Sequence, residues 1–583
     1  MSRLVNSFVE AGLQPRRWLQ LRRSLIGFVV LMASIEISVT AQQTPATLII
    51  RNGSIYTADP TKPTVHAVAI RDERIVGVGS DVEVALLKGT ATEVLDLQGA
   101  TMVPGLQDAH GHVLGLGTTL TTLDLRGTPS AARIAELVAE WAKTVPRGQW
   151  IRGFGWDQND WPEKAWPTHD LLDRAAPEHP VLLDRIDGHA SWANRRALDT
   201  AGIDEKTADP PGGRLIRDAG NMPTGVLVDT AQALVESRVA APDAAQIETQ
   251  ILAADQAMAS VGLTMVHDAG VPSATIAIYQ RLAAAGRLRT RLYVMIDSSP
   301  ATTSEWFSRG PIIDPDHRLT VRAVKMYADG ALGSRGAALL EPYEDEPGNR
   351  GLLVTPPERL AAIARDAVRA GFQPATHAIG DAANRRVLDI YEAIEKDLPA
   401  ARGLRPRIEH AQILDALDIP RFASLGVIAS MQPTHCTSDM PWAPARLGAA
   451  RVAEGAYVWQ KLLHAGARLA AGSDFPVERP DPLLGFYAAV TRQTPSGQPP
   501  GGWSPDERLN RDEALRAFTR DAAYAAHAER DLGSIETGKL ADFVVLSRDI
   551  MRAPPADILR TTVLRTIVAG RTVYPAPAPS SLK

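Results

Sequence analysis

Met102-Val103-Pro104-Gly105-Leu106-Gln107-Asp108-Ala109-His110-Gly111-His112 is an apolar run that closes on two imidazoles two residues apart. On an extended strand, positions i and i+2 point to one face, so both rings can reach one small cation. Imidazole is the commonest protein ligand for zinc-like metals, and the glycine between the rings lets backbone or ligand come close. In a chain with 13 histidines, a single His-x-His is equally well explained as a structural pair. The fragment decides nothing unless other ligands occur in similar settings.

They do. Lys325 closes Val321-Arg322-Ala323-Val324-Lys325, ahead of Ala328-Asp329-Gly330. His377 follows Phe372-Gln373-Pro374-Ala375-Thr376, and His410 follows Pro406-Arg407-Ile408-Glu409. Asp474 follows Ala467-Arg468-Leu469-Ala470-Ala471-Gly472-Ser473. Each sits where a short apolar strand gives way to a loop. Between them lie helix-like segments such as Pro357 to Val368, with apolar residues at helical spacing. Strands alternating with helices argue for βα units. Metal-compatible side chains at successive strand ends describe the rim on which a (β/α)8 TIM barrel, an α/β fold, builds its active site.

The phrases VPGLQDAHGH, GFGWDQNDW, LLDRIDGHASWANRRAL, VKMYADGALGSRGAALLEPY, HAIGD, RIEHAQ and AGSDFPV run in this order along almost the whole chain. In them the chain resembles the amidohydrolase superfamily, in its YtcJ-like branch, amidohydrolase family 3. The resemblance implies a metal-dependent hydrolase with His110 and His112 on the first barrel strand, Lys325 on the fourth, His377 on the fifth, His410 on the sixth and Asp474 on the eighth. It also implies that Lys325 is a carbamate bridging two metals, and that both chain ends pair in a composite β-sandwich.

Chemistry explains the residue types. A divalent ion lowers the pKa of bound water from about 15.7 to near 7 and polarises a carbonyl oxygen, and amide hydrolysis needs both effects. A free ammonium would repel the cation, so Lys325 ligates only when deprotonated or carboxylated by CO2. An aspartate beside the activated water can take its proton and pass it to the leaving amine, which makes Asp474 the expected general acid/base. Zinc suits the N/O ligands and the hydrolytic chemistry, so two Zn2+ per chain are expected.

Plainer readings stand beside these. His110 and His112 could be hydrogen-bonded core groups, Lys325 an ion-pair partner of Asp329 or Asp474, and Asp474 a cap for the following segment. Asp108 and Asp381 could orient imidazoles or serve turns. His189, in Asp184-Arg185-Ile186-Asp187-Gly188-His189-Ala190, is expected either to face substrate and stabilise oxyanion charge or to hold a turn. Trp150, Trp156, Trp161 and Trp166 could wall the pocket, although aromatic residues more often form core. Cys436 is the only cysteine, which excludes an intramolecular disulfide.

The chain of 583 residues is too long for one ordinary domain. Residues 104–530 are expected to form the barrel, with an insertion at about 150–235 after its first strand; residues 42–103 and 531–575 form the two parts of the β-sandwich, and 576–583 a disordered tail. The Pro- and Gly-rich loop Arg492 to Ser504 could border the pocket. The formal charge is −5, and five Arg against two Glu in the first 41 residues leave −8 for the remainder. Such a surface gives no support for nucleic-acid binding. Arg16, Arg17, Arg22 and Arg23 precede the apolar run Leu25 to Ala33, and Val39-Thr40-Ala41 offers a cleavage site, so residues 1–41 read as an export signal. The expected location is periplasmic or secreted, with no stable membrane insertion after cleavage and a homodimer left open as the assembly.

The function expected is hydrolysis of an amide-type C–N bond, in an N-acyl or N-substituted amide, on a small-molecule substrate. The alternatives are hydrolysis of a lactone or cyclic amide, metal-dependent isomerisation or hydration, and a noncatalytic regulator that keeps the barrel.

Overall fold

Strands such as Arg291–Ile296 and Gln373–Ala378 are buried along their whole length, as expected of parallel strands covered on both faces. A computed structural model describes residues 44–240 and 242–575; the expected export signal and tail lie outside the described residues. Eight parallel strands form one sheet in the order Leu106–Gly111, Leu263–Val271, Arg291–Ile296, Leu319–Tyr327, Gln373–Ala378, Arg407–His410, Ile428–Met431 and Arg468–Ala471. Its two edges meet where Gly111 bridges Phe475 in parallel, so the sheet nearly closes into a TIM barrel. Helices alternate with the strands. Pro357–Arg369 turns Leu360, Ala364, Ala367 and Val368 inward, and Ala244–Ser260 is started by a capping box between Asp243 and Gln246.

Period-two alternation sets what fills the lumen. Met265, Tyr293, Ala323 and Ala375 pack on Ala523, Ala526 and Leu540, forming an apolar floor. Two residues further along their strands, Lys325 and His377 share the faces of Ala323 and Ala375. The floor thus carries a polar layer at the C-terminal end, where barrel enzymes keep their sites.

Both chain ends build a second sheet. Thr101–Pro104 runs antiparallel to Phe543–Leu546, with Val103 opposite Val544, and Ile50, Ile55, Val68, Met102, Phe543 and Ile567 share one core. The segment between the first two barrel strands carries a third sheet of six strands spanning Leu123 to Asp229, so this sheet starts before residue 150. Its core holds Trp156, Trp161 and Trp192, with Trp156 stacked on Trp161 at 6.0 Å and edge-on to Trp192 at 6.1 Å. Trp166 packs against the same cluster and Trp150 against its neighbour, so these tryptophans are insertion core rather than pocket wall. No helix of the described residues is long and apolar enough to cross a membrane.

Candidate metal centre

Six side chains from five strand ends converge above the lumen floor. Lys325 Nζ lies 2.9 Å from His110 Nε2. Asp474 Oδ1 lies 3.0 Å from His112 Nε2 and 3.5 Å from His110 Nε2, and Asp474 Oδ2 lies 4.0 Å from His410 Nδ1. The rings of His377 and His410 are 4.6 Å apart, edge to face. Ligand atoms of His110, His410 and Asp474 all fall within 4.8 Å of one another.

The surroundings hold these rings in one tautomer. The Nδ1 of His110 faces Glu409 Oε2 at 2.5 Å, that of His112 faces Ala269 O at 3.0 Å, and that of His410 faces Gln432 Oε1 at 2.8 Å. Each acceptor is an oxygen, so each Nδ1 carries a proton and Nε2 is the nitrogen left for a ligand. His377 Nε2 is buried with no hydrogen-bond partner. His112 meets an oxygen on each side, Ala269 O at Nδ1 and Asp474 Oδ1 at Nε2. A cation between Nε2 and Oδ1 would be bound by both atoms. Two ligand atoms about 2.0–2.1 Å from a tetrahedral cation lie about 3.4 Å apart, close to the 3.0 and 3.5 Å found at Asp474. The residues therefore fit a divalent metal.

Charge follows burial. Burial, then the nearby Lys325, pushes the His110 imidazole down to about 4, and burial holds His377 and His410 well below their ordinary value. These rings stay neutral, as ligands must. Burial also lowers the Lys325 amine to about 8, against the pull of Glu409 and Asp474. Burial alone would raise the Asp474 carboxyl, and the His112 hydrogen bond and neighbouring imidazoles overcome it, keeping it well below the carboxylate range.

Local backbone aims the groups. His410 has φ 74° and Asp474 φ 59°, left-handed values that non-glycine residues adopt at a cost of about 1–3 kcal/mol each and that cluster at functional sites. The turn at His410 breaks strand alternation, so Glu409 and His410 both face the polar layer. Between the eighth and first strands, a Cβ at Gly472 would lie 2.6 Å from Asp108 Oδ1 and from His110 N, so only glycine permits that approach.

The other residues singled out from sequence divide clearly. Asp108 accepts from the amides of His110 and Ser473, both at 3.0 Å, and from Ser473 Oγ at 2.6 Å; it ties the barrel seam and orients no imidazole. Asp381 accepts from Leu340 N and Ala382 N, a turn role. Asp329 takes the amides of Ala338, Ile379 and Gly380, so Lys325 is not its ion-pair partner. The Asp474 carboxylate bonds His112 rather than capping the segment that follows it. His189 lines the cavity above the cluster, its ring 5.4 Å from that of His377. Burial would lower its imidazole, and Asp229 more than offsets this. Thr494 and Pro495 bring the Arg492 to Ser504 loop to the same cavity, which measures about 1530 Å³. Cys436 is buried and unpaired.

A model of the amidohydrolase family matches residues 93–574. The chain belongs to this family. Among its amidohydrolase relatives, the putative amidohydrolase YtcJ of Bacillus subtilis (strain 168) is 35% identical over 530 residues, covering 90% of this chain and 98% of the relative. The N-substituted formamide deformylase of Arthrobacter pascens is 30% identical over 538 residues, covering 90% and 98%. The crystal structure of an uncharacterized metal-dependent hydrolase from Pyrococcus horikoshii OT3 superposes with a TM-score of 0.70 at 28% identity, over 87% of this chain and 99% of that one.

Sequence reasoning passed over three residues of this amidohydrolase site. Glu409 accepts the hydrogen bond of His110 Nδ1 and is gripped by Arg407, whose Nε and Nη2 lie 2.5 and 2.9 Å from its two oxygens. Burial would raise this carboxyl, and Arg407 and His110 keep it far below its usual range. Opposite charges at i and i+2 on an apolar strand were the available signal, since both must face the lumen. His435, beyond the seventh strand, places a buried, unpartnered Nε2 3.8 Å from Asp474 Oδ2. Asp229, the partner of His189, carried no signal, because 40 residues separate the pair.

Proposed function

We propose that this amidohydrolase cleaves the amide-type C–N bond of an N-acyl or N-substituted amide. The observation that supports this most directly is the convergence of the His110 and His112 Nε2 atoms, their Nδ1 atoms turned to oxygen acceptors, on one oxygen of the Asp474 carboxylate. His110, His112, Lys325, His377, His410 and Asp474 would hold two zinc ions, with Lys325 carboxylated between them. Its ammonium first sheds one proton, and the free amine then adds to CO2 and loses a second, so that a buried cation becomes an anionic carbamate. When bound, the metals supply acidified water and a polarised carbonyl oxygen.

The side chains supply the rest. Asp474 takes a proton from the attacking water and returns it to the leaving nitrogen as the C–N bond breaks, releasing a carboxylic acid and an amine. His189 on the cavity wall, which the Asp229 carboxylate favours in its imidazolium form, donates from Nε2 to the carbonyl oxygen as negative charge grows there. Formamides are a reasonable first substrate class, because the Arthrobacter relative is named for deformylating N-substituted formamides.

Metal analysis of the purified protein, coupled to amine release from a panel of N-formyl and N-acyl amides with and without bicarbonate, tests this reading. Two ions per chain and amine release are expected. Lys325→Ala should lose metal and activity, with short carboxylic acids restoring part of both. Retention of two ions by Lys325→Ala would refute the bridging lysine, and zero amine release with a full metal complement would refute amide hydrolysis.

A further inference from the structure

The cavity wall contributed by the insertion carries a second, separately built constellation. Asp229 ends the strand Pro223–Asp229, and its Oδ1 lies 2.7 Å from His189 Nδ1. The Asp229 backbone amide in turn donates to His189 O at 2.9 Å. The carboxylate side chain is only 2% exposed, and its Oδ2 has no hydrogen-bond partner. Its backbone sits at φ 50°, ψ −124°, a conformation suited to glycine. Two glycines after the fourth barrel strand make room for the carboxylate: a Cβ on Gly330 would lie 3.1 Å from its oxygens, and one on Gly336 3.0 Å from Oδ2.

Each of these features is unfavourable by itself. Backbone in such a region costs a non-glycine residue about 1–3 kcal/mol, and an unsatisfied buried acceptor costs about as much again. Glycine at 229 would remove both costs. What glycine would lose is the contact to His189, so that contact is what the strained carboxylate serves. By accepting a hydrogen bond from Nδ1, Asp229 fixes the ring plane and leaves Nε2 as the nitrogen available to the cavity.

We propose that Asp229 is the positioning residue that aims His189 at the carbonyl group of the substrate, an inference that rests on the hydrolytic reading above. It acts through the imidazole and touches no reacting atom. Strain in the insertion is thereby spent on the barrel's chemistry, and the insertion becomes part of the active site rather than a cover over it.

The test compares metal-loaded wild type with Asp229→Gly and with the isosteric Asp229→Asn. Crystal structures need no substrate: the His189 ring should leave its wild-type orientation in Asp229→Gly, while the protein melts no lower than wild type. With N-butylformamide as probe, kcat should fall about 10–100-fold, the usual loss when the partner of a functional histidine is removed, at unchanged KM and metal content. Adding His189→Asn to either variant should cost no more than His189→Asn alone. An unmoved ring, or losses that multiply in the double variant, would overturn the proposal. So would a lower melting temperature with unchanged kcat, the mark of a structural role. If wild type releases no amine, the hydrolytic reading falls, while the ring orientation in Asp229→Gly still decides the positioning claim.

Discussion

The rim of the barrel and the wall raised by the insertion reach the same cavity by different routes. On the rim, every metal-compatible group sits at or just past the end of a strand, from His110 to Asp474, and strand geometry delivers it. On the wall, His189 comes from a turn and Asp229 from a strand end of a sheet whose own core is a tryptophan cluster. The rim is placed by a repeating architecture and the wall by one local packing solution. Rim substitutions should therefore act through metal and chemistry together, and wall substitutions through chemistry alone.

Asp474→Asn should break that contrast most severely. It keeps the shape but removes the base, and turnover should fall about 100- to 10,000-fold; steady-state rates with metal content measured in parallel check this. His189→Asn should lower kcat about 100- to 1,000-fold, the range for a lost oxyanion donor, with metal content intact by elemental analysis. Glu409→Gln leaves every ligand in place but weakens the grip on the His110 tautomer, so metal affinity should drop about 10- to 100-fold in a chelator competition. Trp161→Phe is the mildest: it removes one indole donor to Thr128 O, costing about 1 kcal/mol of stability by denaturant unfolding, with metal content and kcat close to wild type.

The rim was legible in sequence because its signal is periodic. Apolar runs ending in His110, Lys325, His377, His410 and Asp474 announce both the βα repeat and the chemistry, and the parallel sheet order follows the chain order. Glu409 was half legible: Arg407 and Glu409 are two apart on a strand, but the left-handed turn at His410 hides that Glu409 and His410 serve the same layer. The start of the insertion was read late, because Leu123–Asp124 is a two-residue strand too short to show alternation. Asp229 was invisible. Its role depends on a backbone conformation and on Gly330 and Gly336 packed against its carboxylate, none of which leaves a local pattern. The tryptophans read more readily as core than as wall, and the cluster and its ring stacking place them in the core.

Anomalous X-ray scattering at the zinc edge from crystals of the metal-loaded protein tests the central claim most directly. The account predicts two peaks above the barrel floor, one contacted by His110 Nε2, His112 Nε2 and Asp474, the other by His377 and His410, with carbamate density extending Lys325 between them. Peaks elsewhere on the chain, or an empty cluster with Lys325 still hydrogen-bonded to His110, would contradict it.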